Sequence, residues 1–301
     1  MHLKMLGTAA GGGVPQWNCS CPLCALARFK PERVVPRLQL QAIVSRDGDQ
    51  WYLLNASPDL RLQIECNPEL HPRASDGARN SPIAGVVLTS ADLDQVLGLI
   101  LLREFQPLTV YATALVRKVL EANSFFRMLQ RVPNQLTWIV IQPGTKFEVG
   151  QTGLWCTPIA LEGTLPLYAR ELDDGASGQA ELGLVLEANG RRVAYTPALP
   201  HITAELLQVF TSCDAILVDG TFWSDAELSE THAGTPMARA IGHVPLSGAD
   251  GTLALLSDLQ VASKTLVHIN NTNPILDSES PEHAAVIKAG WQIGFDGWQL
   301  T

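Results

Sequence analysis

The chain has 301 residues and a formal net charge of −9, with 46% hydrophobic and 17% charged residues. This length and apolar share predict a globular protein with a substantial core, and we expect a single domain over residues 1–301. The acidic balance argues against nucleic acid as a partner, because phosphate binding needs a basic surface. We interpret the basic residues grouped at 28–37 as a solvated loop. No apolar run reaches the roughly 18 residues that a bilayer crossing needs, and the first residues do not resemble a signal peptide. We therefore expect a cytoplasmic protein without membrane contact.

Hydropathy periods predict alternating strands and helices along the chain. An alternating pattern predicts a strand at 2–7, and two strands at 38–44 and 51–55 form a predicted hairpin. A helix is predicted at 59–66, and the apolar run at 83–88 indicates a buried strand. The later predicted strands are 109–112, 137–141, 147–149, 154–159, 182–186, 192–196, 215–221, 265–269 and 291–295, and the later helices are 113–130, 202–210 and 281–289.

These elements favour one fold class. Two sets of strands with helices between and outside them predict an α/β (α+β) fold, a four-layer αββα sandwich. Residues 163–180 are rich in Gly, Pro, Asp and Ser and indicate a long loop that could act as a lid or a binding loop.

An acidic turn follows the predicted strand at 83–88. Asp92 and Asp94 lie between this strand and a leucine-rich segment. In α/β proteins, ligands and metals bind at the carboxyl edge of the strands, so these carboxylates are candidate ligands. The alternative is that both are helix N-terminal residues whose charge favours the helix dipole.

Three cysteines occur within six residues: Cys19, Cys21 and Cys24. A thiolate cluster of this spacing in a cytosolic chain favours a tetrahedral Zn²⁺ site, whose fourth ligand must come from a distant part of the chain. The alternative is a redox-active or unpaired set of thiols. We expect the isolated cysteines to pack in the core, and these are Cys66, Cys156 and Cys213.

Further polar residues follow predicted strands or a tight glycine turn. Asp219 and His268 lie at strand ends, and His243 follows Gly242. If the strands are parallel, these side chains converge with the Asp92 turn on one pocket, which is the pattern of a metal or acid–base site. Each alone is open to a bland interpretation, such as a loop-bracing carboxylate or a packed histidine. The amides that follow, at 270–273, can fix a polar substrate or can form Asx turns.

Several strings of the chain closely resemble one protein family. Residues 7–19 read GTAAGGGVPQWNC, residues 55–59 NASPD, residues 218–223 VDGTFW, and residues 268–276 HINNTNPIL, with Gly242 and His243 between them. These strings resemble the pyrroloquinoline quinone (PQQ) biosynthesis protein B family of the metallo-β-lactamase superfamily. The resemblance runs from residue 2 to about residue 298 and implies the metallo-β-lactamase fold.

The superfamily's hydrolytic motif is not kept. Its hydrolases carry His-x-His-x-Asp-His where this chain has Ser90, Asp92, Asp94 and Gln95, so only Asp94 matches. The later metal histidine and the bridging aspartate have no counterpart near residues 157–161 and 195–199. A two-zinc hydrolase needs more ligands than this pattern supplies, so we expect another chemistry.

The resemblance also implies metal sites. Asp94, Gln95 and His268 would hold a single active-site Fe²⁺, with Asp92 beside them. Asn271 matches the position of the fourth ligand of the structural zinc in related phosphodiesterases, and His232 or a water is the alternative there.

The resemblance implies two functions that differ in kind. One is an O₂-dependent hydroxylation of the tyrosine-derived ring of a Glu–Tyr cross-linked PQQ precursor, a small-molecule substrate. In that case Asp92, Asp219 and His243 would be catalytic. The other function is a non-catalytic carrier or transport factor for PQQ or its precursor. We expect a homodimer or contacts with pathway proteins. The residues expected to bind the substrate are Ser57, Asp59, Asn270 and Asn273.

Overall fold

A computed structural model of the chain describes residues 1–173, 175, 178–232 and 234–300. Within these residues the strands are β1 (His2–Gly7), β2 (Gln41–Ser45), β3 (Trp51–Leu54), β4 (Ile83–Val87), β5 (Leu108–Ala112), β6 (Leu136–Val140), β7 (Phe147–Val149), β8 (Leu154–Ala160), β9 (Leu182–Ala188), β10 (Arg191–Thr196), β11 (Ala215–Asp219), β12 (Ser263–Val267) and β13 (Gln292–Ile293). The α-helices are α1 (Pro22–Phe29), α2 (Leu60–Glu65), α3 (Leu93–Val96), α4 (Ala114–Ala122), α5 (Ala204–Thr211), α6 (Glu227–Thr231), α7 (Thr252–Leu255) and α8 (Pro281–Lys288). Short 3₁₀ helices occur at Pro68–Leu70, Ala74–Asp76, Leu97–Leu102, Phe126–Gln130, Leu167–Leu172, Arg239–Ile241 and Pro274–Leu276.

The chain forms two compact units, each built from separate segments. The first unit comprises residues 1–6, 41–190 and 297–301, and the second comprises residues 7–40 and 191–296. The α/β class predicted from the sequence is confirmed in both units. The prediction of one domain over residues 1–301 stays a prediction.

The first unit contains a sheet with the strand order β1-β2-β3-β4-β5-β6. The predicted hairpin is present as antiparallel β2 and β3, while β3, β4, β5 and β6 run parallel. The parallel strands β4 and β5 carry long apolar runs, as expected of strands that are covered on both faces. Ile43, Leu53, Val86, Val110 and Leu120 are fully buried in the core that these strands and α4 form. Strands β7, β8 and β9 of this unit pair antiparallel.

The second unit contains four neighbouring parallel strands in the order β13-β12-β11-β10. In this register Asp219 at the end of β11 lies beside Val267 at the end of β12. Because parallel strands end at the same edge of a sheet, the residues that follow them are brought together there. Leu217, Val218 and Leu266 are fully buried and fix this edge on the core.

Helices α4 and α1 differ most from the sequence prediction. Helix α4 ends at Ala122 rather than at 130, because Asn123 adopts an extended backbone at its C-cap and a separate 3₁₀ helix follows. Helix α1 begins directly at the cysteine cluster, where the sequence pattern indicated a turn and a loop. Cys21 caps it through its sulphur, and Pro22 occupies the first helical position.

The solvated-loop interpretation of residues 28–37 is confirmed only in part: Lys30 is exposed outside a helix, but Arg28 lies in the last turn of α1, and Arg33 and Arg37 are half-buried. Arg28 donates hydrogen bonds to the backbone oxygens of Cys19 and Gln16, at 2.5 Å and 2.6 Å. Arg33 pairs with Asp277, and Arg37 donates to the Thr8 hydroxyl at 3.1 Å. Hydropathy alone could not reveal these partners, because most are distant in the chain.

The core-packing prediction for the isolated cysteines is confirmed for two of the three. Cys156 and Cys213 are buried as expected, but Cys66 is exposed at the end of α2, so the core-packing prediction is wrong for that residue. The predicted lid loop at 163–180 contains a 3₁₀ helix, and its residues Asp174, Ala176 and Ser177 lie outside the described residues. Among the described residues, no helix has the length and apolar character that crossing a membrane requires.

Candidate metal and acid–base sites

Asp219, the last residue of β11, accepts hydrogen bonds on both carboxylate oxygens. It is fully buried. Its Oδ1 accepts from the backbone N and the hydroxyl of Thr221, at 2.9 Å and 2.5 Å. Its Oδ2 accepts from the backbone N of Leu199 at 3.1 Å and from Nδ1 of His243 at 2.6 Å. Each oxygen of this buried carboxylate therefore has two hydrogen-bond donors.

Thr221 links Asp219 to His268. Its hydroxyl oxygen lies 2.8 Å from Nδ1 of His268. The hydroxyl has one proton, and the charged Asp219 oxygen at 2.5 Å is its shortest acceptor. Thr221 therefore accepts from His268, whose Nδ1 carries the proton in the neutral ring. This tautomer leaves the lone pair on Nε2, the arrangement that metal-binding histidines adopt.

His243 is held from both its backbone and its ring. Gly242 before it adopts a left-handed backbone with φ of 86°, which glycine reaches without steric cost. The His243 backbone forms an isolated β-bridge with Leu199, and the rings of His243 and Phe222 pack edge-to-face at a centroid distance of 5.7 Å. With Nδ1 donating to Asp219, Nε2 is the acceptor nitrogen of the neutral ring.

The backbone at His268 is also unusual. His268 follows β12 with φ of 57°, a conformation that non-glycine residues adopt rarely and at an energetic cost. The turn is fixed by Ile269, whose N donates to Thr8 O at 2.9 Å. Gly220 lies against β12 so closely that a Cβ there would meet Leu266 Cβ at 2.9 Å. The chain thus turns sharply to bring the His268 ring to Thr221.

One carboxylate consequently orients two imidazoles. The rings of His243 and His268 stack with centroids 5.4 Å apart and planes inclined by 27°. Ligand-type atoms of Asp219, His243 and His268 all lie within 4.8 Å of one another. The Asp219 oxygens already accept four hydrogen bonds. The Asp219 carboxylate can therefore orient the two histidines and stabilise positive charge on them.

The amides after His268 have different environments. Asn273 is fully buried, and its Nδ2 donates to Gly220 O and Thr221 O while its Oδ1 caps Ile275 N. Asn270 is half-buried, and its Nδ2 lies 2.6 Å from the Thr272 hydroxyl. Asn273 therefore supports the loop, whereas Asn270 is the amide with exposed surface for a ligand.

The three grouped cysteines meet Asn271. Its Nδ2 lies 3.3 Å from the sulphurs of Cys19 and Cys24 and 3.9 Å from that of Cys21. Nε2 of the exposed His232 lies 3.9 Å from Cys19 Sγ. Three sulphurs at this spacing are the donor set that Zn²⁺ prefers. Coordination by Asn271 through Oδ1 requires its amide to turn over.

The cysteines differ in acidity. Burial opposes ionisation of Cys19, but hydrogen bonds from the Cys21 backbone and from the Cys21, Cys24 and Asn271 side chains lower its pKa overall. Burial raises the pKa of Cys21 to about 11. Cys19 and Cys21 therefore differ in the direction of their pKa shifts, and a bound divalent cation would favour the thiolate form of its ligands.

The acidic turn belongs to the first unit. Asp92 occupies the N-cap position of α3 but makes no side-chain cap bond there. Its Oδ2 instead accepts from the Ser90 hydroxyl at 2.7 Å. Asp94 lies in the first turn of α3. Both aspartates are therefore helix N-terminal residues, as the alternative interpretation expects, although the Asp92 side chain does not cap the helix by a hydrogen bond.

Gln95 forms part of a buried polar network. It is 2% exposed, and its Oε1 accepts from the Thr89 hydroxyl at 2.6 Å. Thr89 is fixed in turn by Asn55, whose Oδ1 accepts from Thr89 N at 2.8 Å. This network anchors the turn, and the role of Gln95 as a metal ligand stays a prediction.

The predicted substrate residues Ser57 and Asp59 precede α2. Ser57 is fully buried, its N donating to Gln41 Oε1 at 2.9 Å and its hydroxyl accepting from Asp59 N at 3.1 Å. Asp59 lines an open cavity of about 340 Å³ together with Arg61 and Glu65. Asp59 is thus the more accessible of the two.

Sequence reasoning missed Thr221, Thr272 and Glu227. Thr221 follows Asp219 by two residues, the spacing of a side chain that bonds its own turn, and that signal was available. Glu227 is buried in a short helix whose adjoining residues are mostly half-buried, and nothing in the sequence marks it as buried.

The chain is similar to a known protein family and to named relatives. Residues 50–269 match the family described as Beta-lactamase superfamily domain. The Coenzyme PQQ synthesis protein B of Methylobacterium radiotolerans is 42% identical over 305 residues, covering 100% of both chains. That of Gluconacetobacter diazotrophicus is 40% identical, covering 100% of this chain and 99% of the relative.

Solved structures agree on the fold. The crystal structure of Zn(2+)-bound PqqB from Methylobacterium extorquens matches with a TM-score of 0.94 and 40% identity, covering 100% of both chains. A diphosphatase from the PhnP family matches with a TM-score of 0.68 at 19% identity, covering 99% of this chain and 96% of that one, which concerns the fold alone. The metallo-β-lactamase fold predicted from the sequence is confirmed.

Proposed function

Since the chain belongs to the Coenzyme PQQ synthesis protein B family, we propose that it acts in the biosynthesis of coenzyme PQQ as an O₂-dependent iron hydroxylase. Its substrate is the Glu–Tyr-derived pathway intermediate. One atom of O₂ replaces a hydrogen of the tyrosine-derived ring as a hydroxyl group, and the other is reduced to water by two electrons from an external reductant. The observation that carries this proposal is the pair of imidazoles oriented by Asp219, because it prepares one ring nitrogen for a metal and one for proton transfer.

The residues that would hold iron are Asp94, Gln95 and His268. Carboxylate and imidazole donors suit Fe(II), and the Nδ1–H tautomer of His268 fits a ligand nitrogen at Nε2. Gln95 contributes at most a neutral oxygen that already accepts a hydrogen bond from Thr89. When bound, Fe(II) supplies the activation of O₂.

The remaining residues move protons and bind substrate. His243 exchanges a proton at Nε2, and the Asp219 carboxylate stabilises the cation that results. Asp92, held by Ser90, accepts a proton from the ring hydroxyl. Asn270 binds the amino-acid end of the substrate through its exposed amide.

The structural zinc is a separate proposal. Cys19, Cys21 and Cys24 hold Zn²⁺, with Asn271 as the fourth ligand. The support is the contact of the Asn271 side chain with all three sulphurs. The loop after His268 is thereby tied to the cysteine segment, so zinc stabilises the backbone that carries His268.

A carrier of PQQ or its precursor is the second candidate function. One observation favours it: residues 90–95 contain no histidine, and Gln95 is engaged in the buried network with Thr89. A site with so few ligands could bind a polar molecule without chemistry.

A paired experiment separates the two functions. The protein is loaded with Fe(II) without oxygen, mixed with the pathway intermediate and excess ascorbate as reductant, and exposed to air, and the products are identified by mass spectrometry. We expect wild type to convert the intermediate and His268→Ala and Asp94→Ala to lose conversion, while His201→Ala, at an exposed histidine, retains it. A carrier would give no conversion in vitro, and both site variants would sustain PQQ formation in a deletion strain.

A further inference from the structure

Glu227 is a buried acid that the proposed chemistry does not use. It is the first residue of α6 and only 7% exposed. Its Oε2 accepts from the backbone N of Trp223 at 2.6 Å, and its Oε1 accepts from the Thr272 hydroxyl at 2.6 Å. Each carboxylate oxygen of Glu227 therefore accepts a hydrogen bond from an identified donor.

These contacts give the hydrogen-bond chain a direction. An ionised carboxylate only accepts, so the single hydroxyl proton of Thr272 points to Glu227. The Thr272 oxygen then accepts, and the atom of Asn270 that lies 2.6 Å away has to be the NH₂ group. The chain runs from Asn270 Nδ2 through Thr272 Oγ1 to Glu227 Oε1. Burial raises the pKa of Glu227 to about 7, so the carboxyl is ionised in a solution of about pH 8.5.

The direction of this chain fixes the orientation of the Asn270 side-chain amide. An amide side chain is ordinarily ambiguous, because turning it over exchanges a donor for an acceptor. Here the NH₂ is held by Thr272, so the end directed away from Thr272 is Oδ1. Asn270 is half-buried and follows His268 by two residues. It therefore offers an acceptor at the edge where β11 and β12 end.

We propose that Glu227 is a positioning residue that fixes the polarity of Asn270, so that the site takes a hydrogen-bond donor, such as the ammonium of an amino acid, and disfavours a carboxylate there. The ligand preference rests on the proposed function, in which Asn270 contacts the substrate. The direction of the hydrogen-bond chain does not.

Glu227→Gln is expected to reverse the chain. The Trp223 N–H needs an acceptor, so the new amide places its oxygen there and its NH₂ toward Thr272. Thr272 then accepts from residue 227, and its own buried hydroxyl proton has lost its acceptor. Because an unpaired buried donor is costly, Asn270 turns its Oδ1 toward Thr272 to accept that proton. The NH₂ of Asn270 now faces the ligand, and the preference changes from donor to acceptor.

The direction is tested without any ligand. In protein labelled with ¹⁵N-asparagine at about pH 8.5, we expect a cross-peak between the side-chain NH₂ of Asn270 and Thr272. It should vanish in Glu227→Gln and persist in Thr272→Ser, which keeps the hydroxyl. An unchanged cross-peak in a folded Glu227→Gln protein overturns the proposal.

The preference is tested with two probes that differ only in the ammonium group: L-tyrosine and 3-(4-hydroxyphenyl)propionate. We expect wild type to bind L-tyrosine about tenfold more tightly than the second probe, because one charge-assisted hydrogen bond is lost. Glu227→Gln should lose that preference, and the double variant Glu227→Gln with Asn270→Asp should regain it, since Thr272 can donate to a carboxylate. In Glu227→Gln, the Asn270 amide could turn over while the ratio of affinities for the two probes stays unchanged. That result would overturn the contact of Asn270 with the substrate, and with it that part of the proposed function.

Discussion

The hydroxyl oxygen of Thr221 lies 2.8 Å from Nδ1 of His268. The same hydroxyl lies 2.5 Å from Oδ1 of Asp219, whose other oxygen meets Nδ1 of His243 at 2.6 Å. One threonine therefore extends the reach of a buried carboxylate from one imidazole to two. The tautomer of His268 depends on a residue that touches neither metal nor substrate in the proposed function.

Thr221→Val should weaken iron binding. The substitution keeps the branched shape but removes the hydroxyl that fixes the His268 tautomer, and loss of such a partner typically lowers metal affinity by roughly 10- to 100-fold. Anaerobic Fe(II) titration measures the effect. Thr221→Ser keeps the hydroxyl and should bind near the wild-type level. Equal affinity of Thr221→Val and wild type would show that the hydroxyl does not orient the ligand.

Asp219→Asn should destabilise the fold. The new NH₂ group would face donors on the side of Leu199 and His243 or on the side of Thr221, and the charge that supports His243 is lost. Removing one partner of a buried charged network costs about 3–5 kcal/mol in the free energy of unfolding, measured by urea denaturation.

Asp258→Asn serves as the control for that measurement, because Asp258 is exposed. It should change the free energy of unfolding by less than about 0.5 kcal/mol. Equal effects of the two substitutions would contradict the network around Asp219.

Cys24→Ser should lose zinc, whereas Cys66→Ser should keep it. Cys24 is fully buried against Asn271, while Cys66 is exposed at the end of α2. Elemental analysis of both purified variants gives the zinc content per chain. Because a folded metal site stabilises the chain that binds it, we also expect a lower unfolding temperature for Cys24→Ser. Zinc retained in full by Cys24→Ser would contradict the cysteine site.

Sequence reasoning found the parts of the site that follow a regular rule. Asp219 and His268 end apolar parallel strands, and strand register alone brings such residues together, as Asp219 beside Val267 shows. The cysteine cluster was likewise visible from spacing. The fold followed from the alternation of strand and helix patterns and from the family resemblance.

What the sequence did not reveal depends on distant contacts. The Arg37 side chain finds Thr8, and Glu227 finds Thr272, through tertiary packing that no local pattern encodes. Helix α1 was missed because its cap is the cysteine sulphur of Cys21, which is not an ordinary capping group. The exposure of Cys66 shows that residue type alone does not decide burial.

Stability should fall as the pH rises through the titration of Glu227. Burial raises the pKa of this carboxyl from 4.5 to about 7, so the folded state binds the proton more tightly than the unfolded state. The stabilisation is fully present below pH 4.5 and is lost as the pH rises to about 7. A shift of this size corresponds to about 3 kcal/mol.

Urea unfolding of wild type and Glu227→Gln across this range measures the difference. Glu227→Gln should remove the loss, whereas Glu104→Gln, at an exposed acid, should leave it in place. The same pH dependence in all three proteins would assign it to other groups.

The measurement that tests the proposed function most directly is the fate of isotopically labelled O₂. The Fe(II)-loaded protein is mixed with the Glu–Tyr-derived intermediate and excess ascorbate under labelled O₂, and the product is analysed by mass spectrometry beside that of the His268→Ala variant. We predict labelled oxygen on the tyrosine-derived ring with wild type and no product with His268→Ala. An unaltered intermediate with iron bound to the wild-type protein, or product formed equally by His268→Ala, would contradict a hydroxylase that uses His268.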